Sequence, residues 1–236
     1  MVKRTPTQIL ADATSAMVQN HDVADALATL VQECGEALSA DAVGLLVRSD
    51  SGQFELLSST SHATAELELF QVQQDTGPCV DAISGDSAVS VSGSANIRAR
   101  WPVVGQAIVE SGYLSVLASP LRWQGESMGA LNAFFAGSAS EPQEQIELAQ
   151  AFADVATLVV MRAPELGVSH VSDRIRSALA GRIIIEQAKG VIAYQQTVDM
   201  SDAYDSLVRT ATRNRMSLTV AAEGVITAAE RRPSPV

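Results

Sequence analysis

Every strand-like segment of this 236-residue chain lies before residue 136, and beyond Pro164 the sequence reads as helix alone. Pro164 falls between two helical patterns. Carrying a helix through a proline costs about 3 kcal/mol, because the ring removes a backbone donor and strikes the carbonyl one turn earlier. That single break divides the chain into an α+β unit and an all-α unit, joined by a short linker.

In the first unit, Ile9, Leu10, Ala13, Met17, Val23, Leu27, Leu30, Val31 and Leu38 recur at helical spacing, interrupted at His21-Asp22, where Asp22 can cap a second helix. Residues 42–47 read as a buried strand and 54–57 as its hairpin partner across the turn at 49–52. A short helix is expected over 67–72. Thr76-Gly77-Pro78 is a turn that launches a helix over 79–83, and 88–91 is strand-like. Residues 101–109 read as a helix, with Pro102 tolerated in its first turn. Three strand signals follow at 113–118, 120–123 and 128–135. Ile146, Ala149, Phe152, Ala153, Ala156 and Val160 then form a helical stripe over 141–162. This order predicts an antiparallel sheet flanked by helices.

The second unit shows three helical patterns, at 171–196, 200–215 and 218–231. Asp199 is placed to cap the middle one, with Asp202 adding favourable charge in its first turn. The expected division is 1–162, a linker at 163–170, a helical domain at 171–231 and a frayed tail at 232–236.

Composition narrows the function. With 47% hydrophobic residues and a mean hydropathy of +0.13, the chain can bury a core. The longest candidate for a membrane-spanning stretch, 155–161, is only seven residues long, far short of the roughly 20 that span a bilayer. The start lacks the apolar segment of a secretory signal, so a soluble cytoplasmic protein is expected. Cys34 and Cys79 form no paired motif, and His21, His62 and His170 are scattered. Structural zinc, a disulfide and a resident cofactor are accordingly not expected. The net charge of −11 divides into −13 over residues 1–167 and +2 over 168–236. Any nucleic-acid contact belongs in the last third.

Residues 179–192 read Leu-Ala-Gly-Arg-Ile-Ile-Ile-Glu-Gln-Ala-Lys-Gly-Val-Ile. Residues 202–211 read Asp-Ala-Tyr-Asp-Ser-Leu-Val-Arg-Thr-Ala, and 218–222 read Leu-Thr-Val-Ala-Ala, followed by Val225 and Ile226. This series resembles the ANTAR family. The resemblance implies a homodimeric transcription antiterminator whose three-helix modules bind hairpin loops in nascent RNA, and no enzymatic activity. Such loops are read by stacking on aromatic or guanidinium planes and by cations on phosphate. Arg182 and Lys189 are two helical turns apart and share a face, and Arg209 and Arg213 are neighbours with Arg215 close by. Tyr204 occupies the family's aromatic position. These six are the candidate RNA-binding residues. A structural reading stands beside each: Arg182 and Lys189 flank Glu186 as a helix ion-pair set, and Tyr204 can be core with Leu207, Val208 and Ala211. The chain departs from the family pattern at Gln195, Thr197 and Val220, where arginine, glycine and aspartate are usual.

The first unit carries Thr76-Gly-Pro-Cys-Val-Asp-Ala-Ile83, Arg98-x-Arg100-Trp101-Pro102, Ser119-Pro-Leu-Arg122 and Gly129-Ala-Leu-Asn132. It resembles the GAF domains paired with ANTAR modules in actinobacteria. That implies a sensor of an unknown small-molecule, redox or protein signal. Cys79 opens a helix, where the dipole can lower a thiol pKa, and is the candidate ligand or redox residue, against the alternative of a small buried hydrophobe. Cys34 is expected in the core, His62 is more readily a solvated loop residue than a haem ligand, and Trp101 is a packing anchor. Some GAF domains reduce methionine sulfoxide with clustered cysteines, which two cysteines 45 positions apart do not supply. The expectation is a signal-responsive RNA-binding antiterminator with no catalytic residue. The alternatives are a sensory or scaffolding homodimer whose ANTAR module has lost RNA binding and, more distantly, a helix-turn-helix DNA binder.

Overall fold

The computed structural model describes residues 4–19, 23–49, 52–138, 142–161, 171–214 and 216–231. The expected linker at 163–170, the tail at 232–236, Arg215 and the cap at Asp22 lie outside the described residues.

Two helices open the chain, α1 (Pro6–Gln19) and α2 (Val23–Leu38). The hairpin β1 (Ala42–Arg48) and β2 (Phe54–Ser59) follows, then α3 (His62–Gln74), α4 (Pro78–Gly85), β3 (Val89–Ser92), α5 (Ser94–Arg100) and α6 (Pro102–Glu110). Next come β4 (Ser115–Trp123), β5 (Glu126–Phe135) and α7 (Gln143–Met161). The last three elements are α8 (Val171–Gln196), α9 (Met200–Asn214) and α10 (Leu218–Glu230). The strands form one antiparallel sheet in the order β2-β1-β5-β4-β3.

Alternation along β1 and β5 sends Val43, Leu45, Val47, Leu131 and Ala133 to one face, where they pack with Leu27, Leu30 and Val31 of α2 and Phe152, Ala153 and Ala156 of α7. The opposite face is covered by α3 to α6, with Ala42, Val116, Ala118 and Phe134 meeting Ile97, Trp101, Val104 and Ile108. Trp101 is the anchor the sequence suggested: it is 1% exposed, and its indole donates to Asp81 of α4, which also accepts from Arg100 at 2.9 Å.

Besides His62, expected as a solvated loop residue but opening α3 with its side chain 21% exposed, two sequence expectations need correction. The segments 113–118 and 120–123 are one strand, β4, running through Pro120. Proline is tolerated because β3 pairs only as far as Ala118, and the Pro120 carbonyl turns outward to accept from Gln150, so no ladder donor is missing there. The second correction is α5, which sequence periodicity did not reveal: among its seven residues only Ile97 is buried.

The last three helices own a separate core. Ile185, Ala188 and Ile192 of α8 meet Ala203, Tyr204, Leu207 and Ala211 of α9 and Ala221 and Ala222 of α10. Asp199 accepts from the Asp202 amide at 2.8 Å, capping α9 as expected. The start of α8 instead joins the first unit, with Ile175 buried in the core beneath α2 and α7. Among the described residues no helix is long and apolar enough to cross a membrane.

Candidate nucleic-acid interface

The apolar residues of α8 recur at i, i+3 and i+7 and turn toward α9 and α10. Arg182, Glu186 and Lys189, at i, i+4 and i+7, line an adjoining face, directed at the β2–α3 edge of the sheet domain. Arg182 donates to the Leu56 carbonyl at 2.9 Å, and burial lowers its guanidinium pKa. Lys189 is 1% exposed. Its ammonium donates to both carboxylate oxygens of Glu186, at 3.0 and 2.8 Å, and lies 3.1 Å from His62 Nδ1. It also sits 5.5 Å from the centroid of the Tyr204 ring, a cation–π separation.

Tyr204 is likewise enclosed. Its hydroxyl reaches the Ser59 carbonyl at 3.4 Å, and burial, reinforced by Glu186 and Asp205, pushes the phenol up to about 12. A fourth link joins α10 to α2, where the Thr219 amide and hydroxyl both donate to Asp25 at 2.9 and 3.2 Å. Arg182, Lys189 and Tyr204 therefore converge on one surface, already occupied by the sheet domain. Arg209 and Arg213 stay together on the solvent face of α9. Tyr194, which the sequence reading did not single out, is 84% exposed near the end of α8, and Ile183 is 56% exposed on the same helix.

The three departures fall differently. Thr197 ends α8 at φ 53°, with the Val198 amide closing back on the Ala193 carbonyl. A glycine suits this left-handed cap, and a β-branched residue there carries a backbone cost of about 1 kcal/mol. Its effect is on the helix end. Gln195 and Val220 are exposed.

A second polar cluster lies within the sheet domain. Asn132 Nδ2 of β5 donates to both carboxyl oxygens of Glu68 on α3 at 2.9 Å, and Gln71 Nε2 adds a third donor at 2.9 Å. Burial pushes the Glu68 carboxyl up to about 8 against the opposing effect of Asn132. Gly77, at φ 137°, leaves room for Gln71, whose side-chain oxygen a Cβ at that position would crowd. Cys79 follows in the first turn of α4 and is fully buried. Its thiol is pushed up, chiefly by desolvation, against the lowering that a helix start alone would give. Its Sγ faces Gln71 Oε1 at 3.8 Å. Cys34 is buried in the opposite layer, as anticipated. Among the described residues no group of three or more His, Cys, Asp and Glu is arranged to hold a metal ion.

A family model described as GAF domain matches residues 22–160, and one described as ANTAR domain matches residues 173–226. Among solved structures the chain is similar to the GAF domain from an Acinetobacter phosphoenolpyruvate-protein phosphotransferase. The identity is 14%, the match covers 67% of this chain and 96% of that one, and the TM-score is 0.54. It is also similar to the GAF domain of a Coxiella burnetii phosphoenolpyruvate-protein phosphotransferase, with 21% identity, 76% and 97% coverage and a TM-score of 0.52. A third is the phycocyanobilin-bound GAF domain from a cyanobacterial phytochrome, with 14% identity, 67% and 95% coverage and a TM-score of 0.52. At these identities the likeness is one of fold. No curated protein matches the chain.

Proposed function

The chain belongs to the GAF family, with an ANTAR domain behind the sensor fold, and from that premise we propose that it is a signal-responsive, RNA-binding transcription antiterminator. The observation that carries this reading is the ANTAR match falling on a three-helix unit with its own core, whose α9 presents Arg209 and Arg213 to solvent. The RNA module spans 171–231, the sensor 1–162, and the segment between them links the two. The partner is a hairpin loop in a nascent transcript, which places the work in the cytoplasm. The sensor reads an unidentified small molecule or redox state on the α3–α4 side of its sheet, where Glu68, Gln71, Cys79 and Asn132 gather. The protein acts as a homodimer, a reading supported by the exposed apolar side chains Leu158, 62% exposed on α7, and Ile183 on α8.

The test is binding of the full chain to a two-hairpin RNA leader across a salt series. Replacing Arg209 and Arg213 together by alanine is expected to weaken binding at least tenfold while leaving the circular dichroism spectrum unchanged, since both side chains are exposed. The slope of log affinity against log salt becomes shallower by about 1.4, from two lost phosphate cations on single-stranded RNA. An unchanged affinity and slope would remove α9 from the interface. One observation favours the second reading, a sensory homodimer without RNA binding: Arg182, Lys189 and Tyr204 are engaged by the sensor domain. A wild-type chain with no affinity for the leader, in a variant freed of those contacts as well, is the result that reading predicts.

A further inference from the structure

We propose that the β2–α3 edge of the sensor domain and the target RNA compete for the same face of α8 and α9, and that protonation of His62 releases the domain contact. The proposal rests on the RNA-binding reading above and adds the device that controls it. The sensor supplies three acceptors at this face, the Leu56 and Ser59 carbonyls and the His62 ring nitrogen, with the Gln32 side chain also beside the Tyr204 phenol. Acceptor oxygens and ring nitrogens are also what a looped RNA offers to cations and phenols. Three of the six candidate RNA-binding residues are thus held by an internal ligand, while Arg209 and Arg213 stay exposed for first encounter.

Among the described residues His62 is the one titratable side chain the sensor contributes directly to Lys189. An ammonium has donors only, so Nδ1 must accept, which assigns the ring proton to Nε2, toward Glu66 at 3.5 Å. The next proton has to enter at Nδ1, the atom facing Lys189. It removes the acceptor and sets two cations 3.1 Å apart. The charged groups around the ring are Glu66 on α3, Lys189 and Glu186 on α8, and Asp205 beside the Tyr204 phenol on α9. The other charged residues on α3 and the elements packed against it are Glu68 on α3, Arg48 on β1, Glu55 on β2, Glu110 on α6, and Asp202, Arg209 and Arg213 on α9. Among the described residues the ion pair of His62 is with Glu66. Glu66 and Glu186 welcome the proton, and Lys189 opposes it only while the domains are together. The proton thus removes a contact that exists only while the domains are together, the differential interaction a switch requires. Histidine is the side chain suited to change charge between about pH 5 and 8.

Lys3 and Lys189 are the two lysines of the chain, which gives a direct readout on the full-length protein. Acetylation of Lys189 by N-acetoxysuccinimide, normalised to Lys3 by mass spectrometry, is expected to rise about tenfold between pH 8 and pH 6. Affinity for the two-hairpin leader is expected to rise in parallel. In His62→Gln, which keeps an acceptor and gains no charge, both readings stay low and flat with pH. In His62→Arg both are high already at pH 8, with the sheet domain intact by circular dichroism. Lys189 equally protected at both pH values in the wild type overturns the proposal, as does a His62→Gln chain that follows the wild-type profile. If His62→Arg fails to fold, the flat or sloping His62→Gln profile still decides. Labelling that follows pH while the leader never binds leaves the proton-controlled contact standing and defeats the RNA reading.

Discussion

Replacing Gly129 by alanine is expected to cost more than about 3 kcal/mol and to leave the sensor domain largely unfolded at 37 °C. Gly129 sits in β5 between Val47 of β1 and Leu121 of β4. A Cβ there would overlap the Leu46 carbonyl oxygen and stand 3.0 Å from Val47 Cα. Those atoms are backbone, held in the central ladder of the sheet, so no rotamer change relieves the clash. The strands must separate or bulge, and the layer containing Leu45, Leu131 and Phe152 loses its fit. Chemical denaturation followed by tryptophan emission reads the sensor directly, since Trp101 and Trp123 both belong to it. A variant as stable as the wild type would mean that β1 and β5 are not paired in this register.

Replacing Glu68 by glutamine is expected to stabilise the protein by a few kcal/mol at pH 9 and to leave it nearly unchanged at pH 5. Glu68 holds its proton in the folded state up to about pH 8, well above the ordinary carboxyl range. Between the two values the folded state binds more protons than the unfolded one, so stability falls as pH rises through that window and levels off above it. The rise from the ordinary carboxyl range to about 8 sets a ceiling of about 5 kcal/mol. A neutral Glu68 also accounts for the Asn132 oxygen, which is buried without a hydrogen-bond partner among the described residues. Rotation of that amide lets it accept from the carboxyl proton, and the amide of a glutamine at 68 supplies the same donor. Melting curves from pH 5 to 9 check this. Wild type and Glu68→Gln running parallel across the range would show that the carboxyl is ionised throughout, with its three amide donors outweighing desolvation.

The parts of the fold that the sequence disclosed are those where burial follows a simple period. The stripe of α7 did so, the short apolar run of β1 marked a strand buried on both faces, and the signature over 179–192 placed Arg182 and Lys189 on one face of α8. The misses share a physical cause. The helix α3 buries Thr64, Glu68 and Gln71 along with Ala65 and Leu67, so its inner face is half polar and only its later part was apparent. With a single buried apolar residue, α5 has no period to detect. Pro120 implied a break because the sequence does not say where β3 stops. The buried cluster was invisible for the same reason as α3, although Gly44 and Gly77, where a Cβ would crowd Glu68 and Gln71 of that helix, were its nearest sequence signals. The cation face was legible, but its occupant was not. His62 is 127 residues from Lys189, and nothing local to either residue connects them.

Read-through of a transcription terminator is the activity an antiterminator must raise. In single-round transcription of a two-hairpin leader followed by an intrinsic terminator, the full chain carrying His62→Arg is expected to raise read-through several-fold at pH 8. The wild type does so only at lower pH, and the Arg209→Ala/Arg213→Ala chain does so at neither. A folded His62→Arg protein that leaves termination unchanged on every leader to which it binds would contradict antitermination as the function.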